Sequence, residues 1–280
     1  MHSEAAIELQ IIPVFSLIDL SFSCPMLDVA PPQLYANKIK KVPPSIGELK
    51  KLKLLNCFNN QIGLSLPNEI GELGDLEEVN LAANKLAMLK DVHFASWANV
   101  QILNLNDNNL SAVGSLAPCV KLEEVRMYGN QLTALPTLPA SAPELKIFEI
   151  HKNRIAEAPD DYFKSTPALE RLSIWGNALT ALPSSLTSCS KLVGVQAQSN
   201  PDLATLPAGP WPATLETLFI QETKIASLPS SLTSCSLKRV NVGQLPLDSA
   251  ADKLAAEMEK MILGKSDGIW WGKDGVQKKP

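Results

Sequence analysis

Apolar residues along the chain recur as apolar-x-x-apolar-x-apolar-x-x-Asn, seven times in succession. The copies read LKLLNCFNNQI from Leu52, LEEVNLAANKL from Leu76, VQILNLNDNNL from Val100, LEEVRMYGNQL from Leu122, LKIFEIHKNRI from Leu145, LERLSIWGNAL from Leu169 and LVGVQAQSN from Leu192. The closing asparagines are Asn60, Asn84, Asn108, Asn130, Asn153, Asn177 and Asn200, at spacings of 24, 24, 22, 23, 24 and 23 residues. A fixed period of this size marks a stacked repeat, not a compact single core. Weaker copies flank the block. VAPPQLYANKI puts Asn37 one period before Asn60, with Pro32 in a strand position. LETLFIQETKI puts Thr223 in the asparagine place, and LKRVNVGQLPL puts Leu245 there.

The spacing predicts one short strand per repeat. Residues five and three before the asparagine point inward, and those between them point outward, because strand side chains alternate. The asparagine stands where the chain leaves the strand. Its amide can donate and accept, so it can satisfy backbone groups that a turn leaves unpaired. Stacked copies predict an asparagine ladder. The rest of each repeat returns along the opposite side. There the Leu-Pro dipeptides at Leu135-Pro136, Leu182-Pro183 and Leu228-Pro229 favour extended or short 3₁₀ geometry.

These segments resemble the leucine-rich repeat family over residues 29–247, about ten repeats. LPNEIGELGDLEEV and ALPSSLTSCSKL are similar to the intracellular subclass with LPxxIxxLxxL, as in Ras-group-related plant proteins and Ras-pathway scaffolds. The resemblance implies an α/β solenoid: a horseshoe with parallel strands on the concave face, an irregular or 3₁₀ convex side, and capped ends. It also implies a protein-binding role, an intracellular, cytoplasmic location, and no intrinsic catalysis.

The ends break the pattern. Residues 1–28 read as an irregular segment or cap; LIDLSFSCPML from Leu17 fits the strand pattern, but its register is open. Residues 248–280 read as a capping helix and a tail. Asp248 or Ser249 can cap the helix N-terminus. Ala251, Leu254, Ala255, Met258 and Ile262 share one face, and Gly264 suits a stop. A partner-docking helix is the alternative. In the tail, Trp270 and Trp271 either fold back onto the cap or anchor a partner.

Composition narrows the function. The chain has 280 residues, 45% apolar and 19% charged, with a net charge of −4 and no long Lys/Arg run. That argues against a nucleic-acid or anionic-membrane binder, which needs a basic surface. No stretch reaches the length of a membrane span, and the acidic start at Glu4 and Glu8 is unlike a secretory signal. Cys24, Cys57, Cys119, Cys189 and Cys235 are odd in number and scattered. They read as small buried residues in a reducing compartment, not as zinc ligands or a disulfide framework. His2, His93 and His151 have no metal spacing, and no nucleophile or phosphate-loop motif is present. No catalytic residue, cofactor or metal is assigned.

What remains is the outward strand face. Two positions before the ladder run Phe58, Ala82, Asn106, Tyr128, His151, Trp175, Gln198 and Gln221. Three rings are consecutive: Tyr128, His151 and Trp175, flanked by Arg126, Glu149 and Arg171. At a strand spacing of about 4.8 Å they can touch. Tyr, Trp and Arg are the types that dominate interface energetics. These six residues, with Phe58, are the candidate partner-binding set. The competing reading is an aromatic ladder that only stabilises adjacent strands. Three functions follow: a non-catalytic scaffold binding a protein or peptide across the concave face, a structural subunit held by its ends or convex face, or a regulatory subunit of a phosphatase or GTPase pathway.

Overall fold

A computed structural model describes residues 34–279. Its main sheet has eleven strands. In chain order they are β1 (Leu54–Asn56), β2 (Glu78–Asn80), β3 (Ile102–Asn104), β4 (Glu124–Arg126), β5 (Ile147–Glu149), β6 (Arg171–Ser173), β7 (Gly194–Gln196), β8 (Thr217–Phe219), β9 (Arg239–Asn241), β10 (Ile269–Trp271) and β11 (Gln277–Lys278). Neighbours in sequence are neighbours in space. Every pair from β1 to β10 is parallel, with one repeat between register partners, as in Leu54↔Glu78 and Arg171↔Gly194. Each strand is three residues long from β1 to β10, and its middle residue is buried. Those middle residues are the second apolar position of the sequence pattern.

The convex return carries 3₁₀ turns at Pro44–Glu48, Asn68–Glu72, Asp91–Phe94, Ser184–Ser188 and Ser230–Ser234. Two follow Leu182-Pro183 and Leu228-Pro229; proline pre-sets the backbone entering a helical turn. Leu135-Pro136 stays irregular. The apolar side chains of strands and returns merge into one continuous core running the length of the solenoid. Cys57, Cys119, Cys189 and Cys235 lie in it as free buried thiols. Burial pushes the thiols of Cys57 and Cys119 up to about 12, so neither is a thiolate nucleophile at neutral pH.

All seven ladder asparagines are buried. Asn130 shows the arrangement. Its Oδ1 accepts from Leu110 N at 3.0 Å in the preceding repeat. Its Nδ2 donates to Leu105 O of that repeat and Met127 O of its own, both at 3.0 Å. One amide thus closes its own turn and ties it to its neighbour. The residue before each ladder position is left-handed, with φ between +54° and +66° from Asn59 to Ser199. Glycine fills this place only at Gly129 and Gly176, so elsewhere the ladder holds strained backbone.

The ladder stops where the sequence weakens. Thr223 Oγ1 donates to Ile220 O at 2.8 Å within its own repeat. Its single hydroxyl proton leaves nothing to donate to the preceding repeat. At the other end, Asn37 is exposed, and its amide bonds to Leu34 O and Tyr35 O. The strand expected from Leu17 lies outside the described residues.

The cap is helix α1 (Ser249–Leu263), whose N-terminus is held by the Asp248 side chain accepting from Ala250 N and Ala251 N. Ala251, Ala255, Met258 and Ile262 are buried. Gly264 follows the helix, but with a right-handed φ of −74°, so the freedom of glycine is not what stops it. Beyond it the tail adds β10 in parallel to β9, and β11 returns antiparallel.

Candidate functional site

The strand face brings Tyr128, His151 and Trp175 together. Each stands two residues beyond the end of its strand, in the same register on β4, β5 and β6. Tyr128 and His151 stack with centroids 4.4 Å apart and planes 8° from parallel. His151 and Trp175 stack at 4.7 Å and 12°. The strand spacing sets this separation, so each ring lies flat on the next. All three are half-buried: faces turned to one another, edges turned to the open concave side.

Polar groups hold the stack from both sides. His151 Nδ1 lies 3.0 Å from Ser173 Oγ, which the register places on the next strand. Lys152 Nζ stands 5.0 Å from the centroid of the Trp175 ring, a cation–π contact. Arg126 pairs with both Glu124 and Glu149, its Nε 3.3 Å from Glu149 Oε2. Burial pushes His151 down to about 4, with the Lys152 charge adding to it and Asp107 opposing. The imidazole is therefore neutral at pH 7 and does not respond to protons between pH 6 and 8. Burial also raises the Tyr128 hydroxyl, with Asp107 and Glu149 adding to the shift.

The other candidates fall differently. Arg171 is exposed and makes no ion pair among the described residues. Phe58 is 41% exposed but stands beside β1, three strands from Tyr128, with Ala82 and Asn106 in between; it is not part of the stack. Trp270 is 1% exposed, the inward residue of β10, so its reading as a partner anchor is corrected: the ring completes the core under the cap. Trp271 points the other way, half-buried on the concave face, edge-on to Phe219 at 5.6 Å and 85°. This second aromatic pair was not anticipated. Phe219 lies in an outward row that is legible from the repeat, but Trp271 joins that face only because the tail becomes a strand.

Among the described residues no cluster of His, Cys, Asp or Glu is arranged to hold a metal ion, and no helix is long and apolar enough to cross a membrane. His93 is fully buried on the convex side, its Nδ1 accepting from Lys90 N at 3.0 Å. Desolvation there lowers its pKa, with the Lys90 charge adding to the shift. It is a structural histidine.

Comparison with known proteins places this geometry. Residues 74–132 match the leucine rich repeat family model. No curated protein sequence matches the chain. Among solved structures, a leucine-rich repeat protein of Leptospira interrogans superposes with a TM-score of 0.70 at 23% identity, over 81% of this chain and 57% of that one. A plant peptide hormone receptor, solved in complex with its peptide, gives 0.65 at 19% identity, over 73% of this chain and 34% of the receptor. A plant ice-binding protein gives 0.58 at 22% identity, over 73% of this chain and 68% of that one. This chain thus spans little more than half of the first structure and a third of the second. The likeness shows the fold, and these neighbours use that fold for different ends. With its family-model match at residues 74–132 and the same repeat geometry on either side, the chain has the leucine-rich repeat fold.

Proposed function

We propose that the chain is a non-catalytic interaction scaffold that binds a protein or peptide segment across its concave face, centred on Tyr128, His151 and Trp175. The observation that carries this is the stack itself: three aromatic rings in contact, edges to solvent, on a rigid sheet whose neighbouring outward positions are polar. A rigid aromatic surface loses little side-chain entropy when a partner covers it, which is what an interface anchor needs. Repeat solenoids commonly serve as protein-interaction surfaces, and one of the structural neighbours is a receptor solved with its peptide. The intracellular subclass and a cytoplasmic location belong to the same proposal. They are supported by the LPxxIxxLxxL stretch at Leu66–Leu76 and by four buried thiols left free.

The test is affinity purification from the native source, followed by binding of the recovered partner to Tyr128→Ala and Trp175→Ala. Loss of binding with the fold intact is the expected result. Unchanged binding removes the concave site and leaves docking through the ends or convex face.

A further inference from the structure

The concave face changes sign along its length. On β2 to β5 the first and third strand residues include Glu78, Glu124 and Glu149 against a single Arg126, and Arg126 is engaged by two of those glutamates. On β6 to β9 the corresponding positions carry Arg171 and Arg239 and no carboxylate. Both arginines are exposed, and neither makes an ion pair among the described residues. They occupy the same row, on the first residue of β6 and of β9, with Gly194 and Thr217 between them. Gly194 leaves that row open: a Cβ there would meet nothing nearer than 3.8 Å. Turn-edge charges nearby are Lys152, already over Trp175, and Glu222, which accepts from Ser199 Oγ at 2.7 Å.

The aromatic groups frame the same stretch. Trp175 stands at its β6 end, and the Phe219–Trp271 pair stands across β9 at the other. Between them the third strand positions are neutral and polar, Ser173 and Gln196, and Asn241 on β9 lies between Phe219 and Trp271. Three strand spacings separate the two arginines, about 14 Å. An extended chain advances about 3.3 Å per residue, so side chains four residues apart span that interval and face the same way.

We propose that the half-face from β6 to β10 takes an extended acidic peptide segment. Two carboxylates four residues apart meet Arg171 and Arg239, and apolar side chains near its ends rest on Trp175 and on the Phe219–Trp271 pair. Guanidinium groups suit this task because their fixed donor fork engages a carboxylate bidentately. The C-terminal tail, through Trp271, is then part of the recognition surface as well as a cap. This rests on the reading of the concave face above and deepens it by naming the chemistry and direction of the partner.

The experiment uses the full chain and a fluorescein-labelled nine-residue peptide with leucine at positions 1 and 9, glutamate at positions 3 and 7 and serine elsewhere, so that all four side chains share one face, followed by anisotropy. A second peptide carries lysine at positions 3 and 7, and a third moves the glutamates to positions 3 and 5. The expected result is binding of the first peptide, weakened at least tenfold in the Arg171→Glu/Arg239→Glu variant and at least severalfold in the third peptide. The lysine peptide is expected to bind that variant better than the parent. Both substitutions are at exposed positions, so the thermal melt should stay unchanged, which separates lost recognition from lost folding. No binding of the first peptide, binding indifferent to the charge reversal, or equal binding of the lysine peptide overturns the proposal. If a native partner depends on Tyr128 and Trp175 but not on Arg171 and Arg239, the inference fails while the scaffold reading stands.

Discussion

Two rows of side chains cross the same repeats two residues apart, and they are built on opposite logic. The inner row is asparagine at every place from Asn60 to Asn200, buried, with each amide bonded to its own repeat and the one before. The outer row reads Phe58, Ala82, Asn106, Tyr128, His151, Trp175, Gln198 and Gln221, no two alike until its end. Identical backbone presents both. The inner row must answer the same unpaired backbone groups in every repeat, so a single residue type serves throughout. The outer row lies on the concave face, where no repeated backbone group has to be answered, so its residue types are free to vary: Phe58 is exposed, Ala82 and Asn106 are buried, and Tyr128, His151 and Trp175 are half-buried. Uniformity thus marks what holds the solenoid together, and variation marks what it offers to others.

The largest expected effect breaks the inner row. Asn130→Ala leaves Leu110 N without a partner in a buried turn and removes one donor each from Leu105 O and Met127 O, which keep their bonds from Asn108 and Asn153. The unmet donor costs about 1–3 kcal/mol and each of the two lost bonds about 1 kcal/mol, so urea denaturation should show a loss of about 3–4 kcal/mol. Trp175→Ala attacks the outer row. It removes one stacking contact and the Lys152 cation–π contact, for about 1 kcal/mol by the same measurement. Its effect on partner binding should be tenfold or more. The two substitutions are expected to exchange their ranking when the readout changes from stability to binding.

Acid sharpens the contrast further. His151, held at about 4, and His93, also lowered, are neutral in the fold and readily protonated once unfolded. Between the ordinary histidine value of about 6.5 and the depressed folded values, the unfolded chain binds more protons. Stability is therefore full above pH 6.5 and declines as pH falls toward 4. Thermal melts from pH 7.5 to 4.5 should show this, and His151→Gln should flatten the decline while lowering the melt at pH 7.5, because it also removes both stacking contacts. The smallest effect concerns the strained residue before the ladder. Ala83 has φ +54°, and Ala83→Gly should raise stability by about 0.5 kcal/mol in urea denaturation.

Much of this was legible in the sequence because a repeat states its own register. Once Asn60 and Asn84 were aligned, the inward position of Leu55, the buried place of Cys57 and the contact of Tyr128 with His151 followed from strand alternation and spacing. The helix from Ser249 was legible from one apolar face and its Asp248 cap. The tail was not. Ile269–Trp271 has no asparagine and no repeat spacing behind it, so nothing in its pattern showed that it pairs with β9. That pairing decides that Trp270 turns inward and Trp271 outward, and it creates the Phe219–Trp271 contact. The protonation state of His151 was equally hidden. It depends on how far the two flanking rings shut out water, which spacing alone does not reveal.

The most direct test of the division between the two rows is the affinity of a partner recovered from the native source for the Tyr128→Ala/Trp175→Ala variant, read beside its melting temperature. The account expects affinity to fall at least tenfold while the melt shifts by only a few degrees. Undiminished affinity in a folded variant would contradict it.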